Sequence, residues 1–116
     1  LSGAEARART TLEALRRRWP KTTEAQTAAF LLGRIEADGR GNFREAATWF
    51  ERYLREAPRG PYASEAAGRL IVSHTKSGQG MRAAEAARRY LERHPHGPYR
   101  DLARSLVEPA TVSSAR

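Results

Sequence analysis

Pro58-Arg59-Gly60-Pro61-Tyr62 recurs as Pro95-His96-Gly97-Pro98-Tyr99, and each copy follows an Arg-Tyr-Leu triplet, Arg52-Tyr53-Leu54 or Arg89-Tyr90-Leu91. The offset is 37 residues throughout, and at the same offset Ala46 falls on Ala83, Ala47 on Ala84, Phe50 on Ala87 and Ala66 on Ala103. A fainter earlier copy aligns at an offset of 38, with Leu12 on Phe50, Leu15 on Tyr53, Pro20 on Pro58, Ala28 on Ala66 and Leu32 on Leu70. Pro20, Pro58 and Pro95 therefore punctuate the chain at the interval of a helix pair.

Between these marks the apolar spacing is helical. Phe43, Ala46, Ala47, Phe50, Tyr53 and Leu54 follow the three-and-four spacing that lays them on one helix face. Ser2 with Glu5, Thr23 with Gln26 and Asn42 with Glu45 have the spacing of capping boxes, in which a side-chain oxygen accepts an early amide while the later residue reaches back. Gly60-Pro61 and Gly97-Pro98 place proline where a first turn has no amide bond to lose, and Asp38-Gly39-Arg40-Gly41 and Ser77-Gly78-Gln79-Gly80 read as turns. Helices are expected at 3–18, 23–38, 42–56, 61–76, 81–93 and 98–107. No window alternates apolar and polar residues for long, so strands are not expected.

The class is all-α, six helices in antiparallel pairs. A pair that cannot bury its apolar stripe alone must stack on its neighbours, which predicts a short right-handed α-solenoid over residues 1–108. Pro109 to Arg116 carries no apolar periodicity and reads as a disordered C-terminal tail. Alanines at 46, 47, 66, 67, 83, 84 and 87 let backbones approach, while Leu32, Trp49, Phe50, Tyr53, Leu70 and Tyr90 fill the gaps between layers.

With 116 residues the chain suits one core. No run of about 18 apolar residues is present, so no helix is expected to span a bilayer. The absence of cysteine removes disulfides, thiolate metal sites and thiol nucleophiles. Net charge is +8, spread as +3 before Pro58 and +5 from it onward, and only Lys21 and Lys76 are lysines. Nearly all the positive charge is therefore guanidinium, which pairs bidentately with carboxylates and phosphates. A start at Leu1 without a leader points to an excised domain or processed product.

Leu32-Gly33, Ala46, Phe50 and Pro58, followed by Gly68, Ala83, Tyr90 and Pro95, resemble tetratricopeptide repeats, with Ala87 standing where that family prefers an aromatic residue. The Pro-x-Gly-Pro-Tyr segments resemble linkers of bacterial envelope repeat proteins: outer-membrane assembly lipoproteins, Tol-Pal coordinators and the tails of FecR-like or anti-sigma regulators. That resemblance implies a periplasmic or cell-envelope location, with the cytoplasm as the alternative. It also implies that the first helix of each pair lines the concave groove, where Thr27, Phe30, Arg34 and Asp38 from one helix and Tyr62, Glu65, Arg69 and Lys76 from the next would meet a partner. Arg34 follows Gly33 as Arg69 follows Gly68, and two guanidiniums in matching places would hold an acidic peptide.

No constellation for catalysis, metal or cofactor is indicated. His94-Pro95-His96 pairs two imidazoles without a third ligand, and His74, near an apolar face, lacks a nucleophile and an orienting acid. The expected role is a non-catalytic scaffold binding a peptide or partner helix. The alternative is nonspecific nucleic-acid binding through Arg16-Arg17-Arg18 and Arg88-Arg89 with Arg93. Sequence-specific binding is not expected, because Ala84, Ala86 and Ala87 offer no base-reading groups. Self-association through exposed repeat ends is a third reading.

Overall fold

The computed structural model describes residues 2–108, all helix and turn; the tail expected at 109–116 lies outside the described residues. The helices are α1 (Gly3–Arg18), α2 (Thr23–Arg34), α3 (Phe43–Glu56), α4 (Ala63–Lys76), α5 (Gly80–Arg93) and α6 (Arg100–Val107), and α2 runs on into a π-helical turn, Ile35–Gly39. Successive helices make the main contacts, and the molecule extends 55 × 28 × 19 Å. Those dimensions describe a row of helix pairs rather than a closed bundle. The fold is a short α-solenoid of the tetratricopeptide type.

Local chemistry sets the boundaries. Ser2 and Glu5 form a complete capping box, at 3.0 Å and 3.1 Å. The cap of α2 is Thr22, whose hydroxyl oxygen accepts the Ala25 amide at 3.1 Å, and not the expected Thr23. Asn42 accepts the Glu45 amide at 3.3 Å, but its own amide donates to the Glu36 carbonyl at 2.8 Å. Glu45 therefore has nothing to reach back for, and half the box is enough. Pro61 and Pro98 lie in turns two residues before α4 and α6, so those helices begin later than expected.

The repeated linker has a direct physical reason. The Tyr53 hydroxyl accepts the Tyr62 amide at 3.0 Å, and the Tyr90 hydroxyl accepts the Tyr99 amide at 3.0 Å. A β-carbon at Gly60 or Gly97 would collide with those same hydroxyls. The tyrosine near each helix end and the glycine after it are thus one device that sets how the next helix leaves the turn.

The core follows from the apolar stripes. Ala25, Ala28, Ala29, Leu32, Ala46, Phe50, Tyr53, Ala66, Ile71, Ala83, Ala87, Tyr90 and Ala103 are all buried. Ala67 and Ala84, expected at close approaches, are only half-buried. Trp19, at the C-terminal end of α1, is 55% exposed and carries Arg18 over its ring at 5.5 Å.

The π-helical turn explains why two repeat offsets coexist. Buried residues of α2 and the start of its π-helical turn recur in α4 at 38: Ala25 with Ala63, Ala28 with Ala66, Phe30 with Gly68, Leu32 with Leu70, Gly33 with Ile71 and Glu36 with His74. Past the turn the offset is 37, as shown by the two glycines with positive φ, Gly41 (65°) and Gly78 (77°). The Glu36 carbonyl takes the amide six residues on, whereas the His74 carbonyl takes that of Gln79, five on. One extra residue is absorbed in the wide turn, as π-bulges do.

Candidate functional site

This repeat frame changes the meaning of the two Gly-Arg pairs. Gly33 corresponds to Ile71 and Arg34 to Val72, while Gly68 corresponds to Phe30 and Arg69 to Leu31. Arg34 and Arg69 do not occupy matching places in successive layers, because the sequence match of the two pairs runs at an offset of 35 that the structure does not use.

Phe30 is not a groove residue. It is 2% exposed and stacks on Tyr62, centroids 4.7 Å apart with planes at 10°, while Phe50 and Tyr53 close around it at 5.9 Å and 5.8 Å. In the next layer Gly68 stands in its place, and the Tyr99 ring lies against that glycine where a β-carbon would not fit. The smaller residue below lets the tyrosine settle onto the helix backbone. Tyr62 keeps 38% of its surface exposed, and Thr27 is half-buried.

Asp38, Glu65 and Arg69 do come together. Arg69 Nε donates to Glu65 at 2.9 Å and its Nη1 to both Asp38 oxygens at 3.3 Å, tying the π-helical turn after α2 to α4. The Tyr99 hydroxyl donates to Glu65 at 3.1 Å, which brings in the start of α6. Burial, and then the Glu65 carboxylate beside it, push the Tyr99 phenol above its usual range. Arg69 is thus the centre of a network across the layers, and its charge is already answered by two carboxylates.

Beside this network lies a cavity of about 360 Å³ lined by Asp38, Phe43, Arg69, Val72, Lys76 and Tyr99 among others. Lys76 is exposed, with its ammonium 5.2 Å over the Phe43 ring, and Arg34 is exposed one layer earlier. The α2–α4 face therefore combines aromatic edges with hydrogen-bonding and charged groups, suited to holding a polypeptide. Among the described residues no group of His, Asp or Glu is gathered to hold a metal ion, and no helix is long and apolar enough to cross a membrane.

Two buried polar positions went unrecognised as a pair in the sequence. Glu36, 1% exposed, lies 3.3 Å from Arg9 of α1 and 3.5 Å from Arg40. Its counterpart His74, 4% exposed, lies 3.5 Å from Glu51 of α3. Burial pushes the His74 pKa down, against the pull of Glu51. Their shared offset of 38 was the available signal.

A second cavity, about 410 Å³, sits between α3 and α5 over α4 and is lined by Glu51, Leu54, Arg55, Leu70, Ala86, Arg89, Tyr90 and Arg93 among others. It shares no lining residue with the first.

A family model described as tetratricopeptide repeat matches residues 6–61, which take in most of α1, all of α2 and α3, and the turn after them. Neither the curated proteins nor the solved structures compared with the chain gave a match. With α4 and α5 repeating α2 and α3, the chain is a tetratricopeptide-like helical repeat domain, similar to that family over residues 6–61 and continuing its stacking through α6.

Proposed function

We propose that this domain is a non-catalytic interaction scaffold whose α2–α4 face holds an acidic peptide or partner helix, within a larger bacterial envelope protein. Tetratricopeptide repeats generally mediate protein–protein interaction, and the match over residues 6–61 supports that role. The observation that carries the choice of face is the cavity beside Arg69, where Lys76 and Tyr99 line one opening and the core aromatics sit behind. The envelope placement draws its support from the Pro-x-Gly-Pro-Tyr linkers at Pro58–Tyr62 and Pro95–Tyr99.

Arg69 already serves the fold, so the test belongs on the exposed cations. Fluorescence anisotropy against an array of synthetic acidic peptides is expected to give saturable binding. Replacing Arg34 and Lys76 together by alanine is expected to weaken it about tenfold or more while leaving the helical circular dichroism unchanged. Equal affinity of the double variant would remove this face from the reading. A labelled DNA duplex titrated at two salt concentrations checks the nucleic-acid alternative, whose signature is affinity that falls steeply as salt rises.

A further inference from the structure

The cavity between α3 and α5 has a counterpart one layer earlier, between α1 and α3, and there the space is filled by the protein itself. Trp49 of α3 occupies it, half-buried against the core, with the Arg16 guanidinium 5.5 Å and the Arg52 guanidinium 4.9 Å from its ring. Arg16 also forms a bidentate pair with Glu56 at 3.0 Å and 2.8 Å, so a carboxylate closes the slot beside the indole.

At the repeat offset of 37, Trp49 becomes Ala86, Arg52 becomes Arg89 and Glu56 becomes Arg93. At 38, Arg16 becomes Leu54 and Arg17 becomes Arg55. The second slot has thus lost its aromatic ring and its carboxylate, and has gained an apolar wall and an arginine. Its floor is built of Leu70, Ala86 and Tyr90, all buried, and Arg55, Arg89 and Arg93 stand exposed at its rim. The charges facing it from α3, α4 and α5 include Glu51, which is drawn toward His74 at 3.5 Å, and Arg89 also reaches Glu85 at 3.4 Å. The rim remains net positive. Its volume, about 410 Å³, lies in the range of about 300–1,000 Å³ in which ligand pockets fall.

We infer that the α3–α5 slot is a second docking site, which takes an aromatic side chain flanked by carboxylates from a partner peptide, restoring the ring and the acid that Trp49 and Glu56 supply one layer earlier. An arginine above an aromatic face gains from the ring quadrupole, and an exposed guanidinium beside it pairs with a carboxylate. The site shares the scaffold role proposed above but not its face.

The test uses a synthetic acidic decapeptide with one central tryptophan, titrated into the protein by calorimetry. Saturable binding is expected, weakened about tenfold or more when the peptide's tryptophan is replaced by alanine or its glutamates by glutamines. Ala86→Trp fills the slot from within and is expected to abolish binding; Arg89→Glu with Arg93→Glu, on the exposed rim, is expected to do the same with the fold intact by circular dichroism. The variant with alanine at positions 34 and 76 is expected to bind the peptide as the parent does, which separates this slot from the α2–α4 face. Absence of saturable binding by the parent, or unchanged affinity in the well-folded rim variant, overturns the inference. Self-association of the parent that Ala86→Trp abolishes would also overturn it, by making a second copy the occupant.

Discussion

The Tyr53 hydroxyl accepts the amide of Tyr62 at 3.0 Å across the linker, and Gly60 lies so close beneath that hydroxyl that no side chain fits there. Tyr90, Gly97 and Tyr99 repeat the arrangement, with the same 3.0 Å bond. The pairing turns a short run of sequence into a fixed joint between layers, and the joint sets the relation of α3 to α4 and of α5 to α6.

Removing the hydroxyl with Tyr53→Phe leaves the Tyr62 amide without its acceptor and is expected to cost about 0.5–1.5 kcal/mol. Gly60→Ala forces the hydroxyl aside and is expected to cost more, about 1–3 kcal/mol. The double variant should be less destabilised than the sum, because the closest clashing atom is gone, although Ala57 still crowds the new methyl. Urea unfolding of the four proteins measures this directly, and strict additivity would mean that the hydroxyl and the glycine are not in contact.

Phe50 is fully buried, and Gly33 packs against its ring with no room for a β-carbon. Phe50→Ala is expected to cost about 3–5 kcal/mol, the range for emptying a buried aromatic site. Thermal unfolding that leaves the midpoint unchanged would show that the face of α3 has been misassigned.

Glu36 is buried, but its partners Arg9 and Arg40 keep 37% and 36% of their side chains exposed. Water therefore screens the pairs, and the full penalty of breaking a buried ion pair does not apply. Glu36→Gln, which keeps the shape and removes the charge, is expected to cost about 1–2 kcal/mol. Glu36→Ala should cost more, since it also empties space beside the π-helical turn. Chemical denaturation in which Glu36→Gln matches the parent would show that this carboxylate's charge contributes nothing.

His74 sets one pH window and Glu56 another. Burial lowers the His74 pKa below 6.5, so the unfolded chain takes up protons first as pH falls. The associated stability is complete above pH 6.5 and is lost as pH drops through the lowered value. The hydrogen bond from Arg16 holds the Glu56 carboxyl below 4.5, so its contribution is complete above that and is lost only at more acid pH. His74→Gln should flatten the dependence just below pH 6.5 and leave the more acid limb in place. Unfolding free energies followed from pH 8 to 3 resolve the two, and an unchanged upper limb in that variant would exclude His74 as its source.

The helices were legible because their signals are local. Ser2 with Glu5 and Asn42 mark starts that depend only on nearby backbone, and Pro20, Pro58 and Pro95 mark ends. The groove was less so. Phe30 and Arg34 lie on the same helix four residues apart, yet Phe30 is buried because Tyr62 stacks on it from the next layer. Arg69 has one partner on its own helix, Glu65 four residues earlier, but its second, Asp38, comes from the π-helical turn and is set within reach only by the stacking.

By itself the sequence determined an all-helical chain with a repeat interval near 37 residues, since apolar spacing, caps and glycine turns act over a few residues and need no partner. Only the tertiary structure decided which offset holds where, because the extra residue is taken up in the π-helical turn after Arg34, where no local composition marks it. It also decided which cations are spent within the stack and which face outward, for that depends on what the neighbouring layer places within reach of each side chain.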